Sequence, residues 1–264
     1  MRIRNRVDRE RPLARAANLA ALHGELNTKI SADERMPSDD VSGYLAVGAS
    51  ALRAVRLAQA SANVPDFTSI LDFPCGHGRV LRWFKAAYPR AQLTAGDVLA
   101  DGVDWCSREF GAVGVHAAPQ PDTALFEHRY DLIWVGSLLT HVDVPQWRRF
   151  LDVWHDLLAR DGLLVITTHG DYVAERMERG HLYGYPELQV KRLLRAYRHA
   201  GFGFLEESPS SVEYGITISR PDWVLRQVMV ESDLRLVLAV EMLWDNHQDV
   251  YAFVRREFSP PEPG

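Results

Sequence analysis

Leu71-Asp72-Phe73-Pro74-Cys75-Gly76-His77-Gly78-Arg79-Val80-Leu81, LDFPCGHGRVL, is the stretch on which the fold turns. A short apolar run, SILDF, ends at an acid. Two glycines follow at alternate positions, and an amphipathic pattern, RVLRWFKAAY, starts at once. Glycine lets backbone come close to a ligand, and a helix start offers amide donors. The stretch therefore reads as strand, ligand loop and helix. Pro74 stands where such loops usually carry another glycine. Proline fixes φ and has no amide, so a stiff loop is expected, with its contacts running from Cys75 to Gly78.

Outward from this loop, short β-like runs alternate with helical patterns. AQLTAGD (91–97), VGVHAA (113–118), YDLIWVGS (130–137) and LLVITTHG (163–170) read as strands. VDWCSREFG, PQWRRFLDVWHDLLARDG and PELQVKRLLRAYRHAGF read as helices, the second stopping at Asp161-Gly162. This alternation predicts βαβ units and a parallel sheet. Upstream, RPLARAANLAALHGEL and DDVSGYLAVGASALRAVRLAQAS have apolar residues at helical spacing, broken at MPSDD. After Gly203 the rhythm changes to EYGITIS, a helix PDWVLRQVM, then DLRLVLAVEM and DVYAFVRRE. The expected organisation is an N-terminal helical cap (1–66), a core (67–208) and C-terminal strands (209–264) that complete the sheet and border the acceptor side. The tail SPPEPG reads as a frayed end.

The bulk numbers fit one folded domain: 264 residues, 47% hydrophobic and 25% charged, net charge −5. Nothing in this balance calls for nucleic acid. Six arginines lie among the first fifteen residues, but Asp8 and Glu10 argue against a transit peptide. No apolar run approaches the ~18 residues of a membrane span. Two cysteines, Cys75 and Cys106, make neither a disulfide framework nor a metal cluster, and a reducing cytoplasm suits them. No H-x-x-x-H or H-E-x-x-H spacing occurs, so no metal is expected.

Two cofactors compete for the loop. A dinucleotide fingerprint needs G-x-G-x-x-G, and Leu81 occupies the third glycine's place. Asp72, ahead of the glycines, would repel a pyrophosphate. It suits a ligand with a positive amino-acid end, such as S-adenosylmethionine (SAM), which has an ammonium, a sulfonium and a ribose. Asp97 ends the second strand, nineteen residues after Gly78, where an acid can bind ribose hydroxyls.

The blocks ILDFPCGHGRVLR, AGD, YDLIWVGSLLTHV and DGLLVITTHG, in this order from about Ser69 to Gly170, resemble a bacterial class I SAM-dependent methyltransferase. The resemblance implies a Rossmann-like, seven-stranded, mostly parallel sheet, with its last strand antiparallel beside the fifth. It implies that Asp72 and the Pro74–Gly78 backbone (Pro74, Cys75, Gly76, Gly78) flank the methionine part. Asp97 would bind the ribose, Val98 would border the adenine, and Gly136 and Ser137 would close the floor. Tyr44 from the helical cap is a candidate for the methionine carboxylate end. Arg79 is a second, equally readable as a solvated first-turn arginine. Ala117 and Ala118 leave the adenine amine only backbone and apolar contact, with Asp122 a weak substitute. S-adenosylhomocysteine (SAH) would be the product.

Methyl transfer from SAM to an oxygen or nitrogen of a small molecule or saccharide is the implied reaction. It needs alignment first, and a base only if the acceptor must lose a proton. His141, just past the fourth strand, is the base candidate; the alternative is a residue that shapes the loop. Asp143 would orient it or cap the next helix. His169 ends the fifth strand on the same edge. An antiparallel last strand would start on that edge too, adding Trp244, Asp245 and His247, with Arg220, as acceptor-pocket candidates. The rival readings are a nicotinamide-dependent oxidoreductase and a non-catalytic SAM-binding module. The sequence leaves the acceptor and the oligomeric state open.

Overall fold

The computed structural model describes residues 26–34, 36, 41–120, 122–207, 214–230 and 233–256. The arginine-rich start, almost all of the first expected helix and the SPPEPG tail lie outside these residues.

Five parallel strands make the centre: β1 (Ser69–Asp72), β2 (Gln92–Asp97), β3 (Val113–His116), β4 (Tyr130–Val135) and β5 (Leu158–Thr168). Two more, β8 (Leu234–Trp244) and β9 (Gln248–Arg255), complete a seven-stranded sheet ordered β3-β2-β1-β4-β5-β9-β8. β9 is antiparallel to both its neighbours, as expected of the last strand. The strand order reverses between β1 and β4, so the loop after β1 opens at a switch point, where such sheets bind ligands.

The apolar runs in β1, β4 and β5 reflect burial on both faces. Alternate residues serve opposite faces. Ile70, Leu132, Trp134, Leu163 and Val165 pack under α1 (Val41–Ala62), α2 (Leu81–Ala87) and α3 (Ala100–Phe110). Leu71, Ile133, Val135, Leu164 and Ile166 pack under α4 (Val144–Leu157) and a later helix, α7 (Pro221–Met229). α1 presents Ala51, Leu52, Ala54, Val55 and Ala58, all fully buried. Its small residues let it lie close against the sheet and against Trp83 of α2.

The structure departs from the sequence reading at three places. α4 stops at Leu157 rather than at Asp161-Gly162: Leu158 takes an extended conformation and pairs with Tyr130. Arg255 donates to the carbonyls of His155 and Leu158, which satisfies this early helix end. A helix α5 (Asp171–Glu178), not anticipated, precedes α6 (Glu187–Ala200). β6 (Phe202–Glu206), also not anticipated, pairs with β7 (Gly215–Ser219) in a separate antiparallel ribbon. With α5 and α6 this ribbon has its own apolar cluster, centred on Val173, Val190, Leu193 and Ile218. It stands over the carboxyl ends of β4 and β5, where Gly215, Thr217 and Ser219 donate to the carbonyls of His141, Thr140 and His169.

Candidate active site

The loop after β1 is tightly committed. The Phe73-Pro74 peptide is cis. Cys75 N–H donates to Gly96, Gly76 N–H to Oδ2 of Asp97 (2.8 Å), and Gly78 N–H to Cys75. Three of the loop amides are thus used inside the protein. A ligand meets a glycine backbone with few donors left, a poor cradle for a pyrophosphate. Gly76 and Gly78 have φ of +49° and +78°. A Cβ on Gly78 would run into Phe110, so glycine is required there by both conformation and packing.

Asp72 is buried, and among the described residues neither carboxylate oxygen has a hydrogen-bond partner of ordinary geometry. Burial, then the charge of Asp97, pushes its pKa well above the usual carboxylate range. The Leu81 amide, near it but outside ordinary hydrogen-bond geometry, and the charge of Arg79 offset this only in part. Asp97 is also buried and also raised by burial, partly relieved by the Leu99 and Gly76 amides. Two adjacent buried acids, one without partners, are unstable as a pair of anions and call for a cation. The ammonium and sulfonium of SAM supply that charge, so the residues present fit this cofactor. Asp97 retains lone pairs for ribose hydroxyls. Val98, beyond it, is an exposed apolar side chain.

Above the loop, Tyr44 is buried and its hydroxyl donates to Glu34 (2.6 Å) rather than standing free. Arg79 lies 5.9 Å from the ring centres of Tyr44 and Trp244, half-buried and not a solvated first-turn residue. Gly136 underlies Trp244: a Cβ there would fall 2.7 Å from the Trp134 indole nitrogen and 3.0 Å from Trp244. Ser137, at φ +62°, is held by Thr167 and Gln248.

Ser137 and Arg79 both line a cavity of about 1010 Å³. Its walls include His141, His169, His247, Trp244 and Asp245. These come from the β4 loop, the end of β5 and the β8–β9 turn, so the three histidines and the turn converge as the topology implied. Asp72, Gly76, Gly78 and Asp97 are not among the residues that line the cavity, and Asp72 and Asp97 are buried. Arg220 is not brought in: it pairs with Asp222 through two hydrogen bonds and with the Arg198 carbonyl. Asp143 caps α4, accepting from Gln146 N–H at 3.0 Å. Asp122 caps a short 3-10 turn, accepting from Ala124 N–H.

His141 and His169 have defined tautomers. His141 Nδ1 is 2.7 Å from the Gly215 carbonyl, and His169 Nδ1 is 3.2 Å from the Thr217 carbonyl. A carbonyl only accepts, so Nδ1 carries the proton in each and Nε2 keeps the lone pair. Burial lowers the pKa of His141. Burial, then neighbouring His247 and His141, pushes His169 down to about 3. Burial, then Arg176, lowers His247. At neutral pH all three are uncharged.

Several residues of the site carry no sequence signal. Tyr183, Tyr185, Tyr214, Glu206 and Glu207 line the cavity from the α5–α6 loop and the β6–β7 ribbon. Tyr214 stacks on His141, centroids 4.7 Å apart and planes 11° from parallel. His77, buried beside Glu34 and Asp101, and Arg82, buried against the loop, belong to patterns that read only as helix start. Arg82 had a weak signal: it lies four residues past Gly78, one turn above the loop. Among the described residues, no group of three or more His, Cys, Asp or Glu side chains is arranged for a metal, and no helix is long and apolar enough to cross a membrane.

The family profile described as "Methyltransferase domain" matches residues 70–162. Among solved structures, the chain is similar to Burkholderia thailandensis 1,6-didemethyltoxoflavin-N1-methyltransferase with bound 1,6-didemethyltoxoflavin and S-adenosylhomocysteine. The match has 13% identity and a TM-score of 0.53, over 97% of this chain and 93% of that one. A Clostridium acetobutylicum S-adenosylmethionine-dependent methyltransferase matches at 12% identity, TM-score 0.53, over 85% of this chain and 96% of that one. An O-methyltransferase family protein from Burkholderia thailandensis matches at 13% identity, TM-score 0.51, over 96% and 72%. No curated protein sequence matches this chain.

Proposed function

We propose that this chain, in which residues 70–162 match a methyltransferase domain, is a class I, Rossmann-like S-adenosylmethionine-dependent methyltransferase that transfers a methyl group to an oxygen or nitrogen of a small molecule or saccharide. When bound, SAM supplies a methyl group already activated on a sulfonium. The protein's residues hold, align and accept a proton. The observation that carries this reading is one cavity lined both by Arg79 and Ser137, from the loops after β1 and β4, and by a histidine pair with Nδ1 pinned to backbone carbonyls.

Asp72 balances the positive amino-acid end, and Asp97 receives the ribose. Gly76, Gly78, Gly136 and Ser137 let the cofactor lie on backbone, with Cys75 and Pro74 stiffening the turn and Val98 against the adenine. Tyr44 and Arg79 stand at the carboxylate end. His141, neutral and with a lone pair at Nε2, takes the acceptor's proton as the bond to carbon forms. His169 and His247 shape the pocket and keep the local charge low. The tyrosines give flat walls for a ring-bearing acceptor.

Calorimetry tests the cofactor assignment. SAH is expected to bind and NADH not to bind, and Asp97→Ala is expected to cost ~1–3 kcal/mol of SAH affinity through lost charge-assisted bonds. NADH binding without SAH binding would return the chain to the oxidoreductases.

A further inference from the structure

The edge of β7 turned away from β6 holds two imidazoles of the main sheet. The amides of Gly215, Thr217 and Ser219 on this edge donate to the carbonyls of His141, Thr140 and His169. In the other direction, Nδ1 of His141 donates to the Gly215 carbonyl at 2.7 Å, and Nδ1 of His169 to the Thr217 carbonyl at 3.2 Å. Each histidine is thus tied to β7 through both its backbone and its ring. Carbonyls two residues apart on a strand are about 6.6 Å apart, and the two ring centroids are 6.4 Å apart. The strand repeat therefore sets the spacing of the rings.

The two nitrogens of an imidazole point in divergent directions, so each Nε2 is directed away from β7. Both rings line the cavity. His169 is only 6% exposed, and among the described residues Nε2 of neither ring has a hydrogen-bond partner. Both rings are uncharged at neutral pH, burial lowering each and His169 to about 3. Each Nε2 therefore offers a lone pair and no proton. The surroundings are flat: Tyr214 stacks on His141, and the Tyr183 ring lies 6.3 Å from that of His169. A molecule with one donor would satisfy one lone pair and leave the other buried and unmet, which is costly. A carboxylate or carbonyl at this place would set lone pair against lone pair.

We propose that the methyl acceptor carries two hydrogen-bond donors on one ring, that the donor facing His141 is the one methylated, and that His169 selects the molecule by binding the other. The first donor passes its proton to Nε2 of His141 as its oxygen or nitrogen takes the methyl from the sulfonium, and SAH is left. The second donor keeps its proton. The inference rests on the methyltransferase reading for the fate of the first donor, and on the two pinned rings alone for the recognition of both.

NMR titration of the full chain with SAH bound tests this. Two probe sets are used: the dihydroxybenzenes against phenol for an aromatic ring, and the cyclohexanediols against cyclohexanol for a saccharide-like ring. In one set, the best two-donor probe is expected to bind roughly tenfold more tightly than its one-donor partner, the equivalent of one hydrogen bond. The set that shows this ratio identifies the kind of ring. His169→Asn keeps an amide N–H near the place of Nδ1, for the Thr217 carbonyl, and has no lone pair at the place of Nε2. It is expected to lose the ratio. If the variant fails to fold, the imidazole nitrogen signals of the wild type decide. The two-donor probe is expected to shift Nε2 of both His141 and His169, and the one-donor probe only one of them. No preference in either set would overturn the proposal, as would a ratio that persists in folded His169→Asn, or an Nε2 signal of His169 that the two-donor probe leaves in place. Absence of SAH binding to the wild type, seen by calorimetry, would instead fall on the methyltransferase reading. The probe ratio in the protein without SAH would still decide the recognition.

Discussion

Burial, then the charge of Asp97, shifts Asp72 toward its protonated form, and Arg79 offsets this only in part. A cofactor's positive charge beside Asp72 favours the anion, so binding is expected to be coupled to proton release. The affinity for SAH should therefore rise with pH until Asp72 ionises in the free protein, with a slope approaching about tenfold per pH unit. Calorimetric heats in buffers of different ionisation enthalpy should differ by one proton's worth. Buffer-independent heats would mean that Asp72 is already charged, or that it does not face the ligand. The acid ahead of the glycines was legible in the sequence because it adjoins them in the chain. Arg82 and His77 were not: a helix-start pattern does not tell which polar side chain is drawn inward by carbonyls from a distant segment.

Among the elements, the β8–β9 hairpin has a similar economy of charge. Asp249 accepts from Met242 N–H at 3.0 Å across a bulge where Met242 has φ +54°. Burial is the main cause that raises its pKa to about 6, with Glu241 and Asp171 adding to it. A carboxyl raised on folding contributes stability below its unfolded pKa, and that contribution is lost as pH rises through about 6. Asp249→Asn keeps an oxygen for Met242 and removes the charge. It is expected to raise stability by up to roughly 3 kcal/mol at pH 7 and to have little effect near pH 4. Denaturant midpoints at the two pH values check this, and equal shifts at both would contradict it. The strands of the main sheet were readable from their apolar runs, because burial on both faces leaves a continuous signature. β6 was not: its sequence, FGFLE, is short and directly follows a helix stop. The early end of α4 was equally hidden, since LARDG has an ordinary helix-end pattern and only pairing with Tyr130 and Arg255 makes it strand.

At the scale of the whole molecule, three parts meet at the site: the parallel sheet with its loops, the C-terminal hairpin, and the α5–α6 unit with its ribbon. In the proposed function the cofactor half belongs to the first part, and the acceptor half largely to the other two. His141 stands at their boundary, on a sheet loop but held and stacked by the ribbon. His141→Gln should therefore separate the halves. SAH affinity is expected to stay as in the wild type, while methyl transfer to an acceptor that loses a proton falls by ~10²–10⁴-fold. An acceptor attacking as an anion should be nearly unaffected. A full rate with both kinds of acceptor would leave His141 only a shaping role.

The sequence by itself determined the α/β alternation, the glycine loop with its leading acid, and the cationic character of the cofactor that loop can hold. These depend on neighbours along the chain, where periodicity and spacing are direct physical signals. Only the tertiary structure decided that tyrosines from an added ribbon wall the cavity that His141, His169 and His247 share, and that Arg220 is committed elsewhere. It alone showed Arg82 tying the N-terminal segment to the loop. The reason is that these side chains are recruited by backbone carbonyls and by burial. Neither leaves a pattern in residue order, because any chain segment folded into the right place can offer a carbonyl.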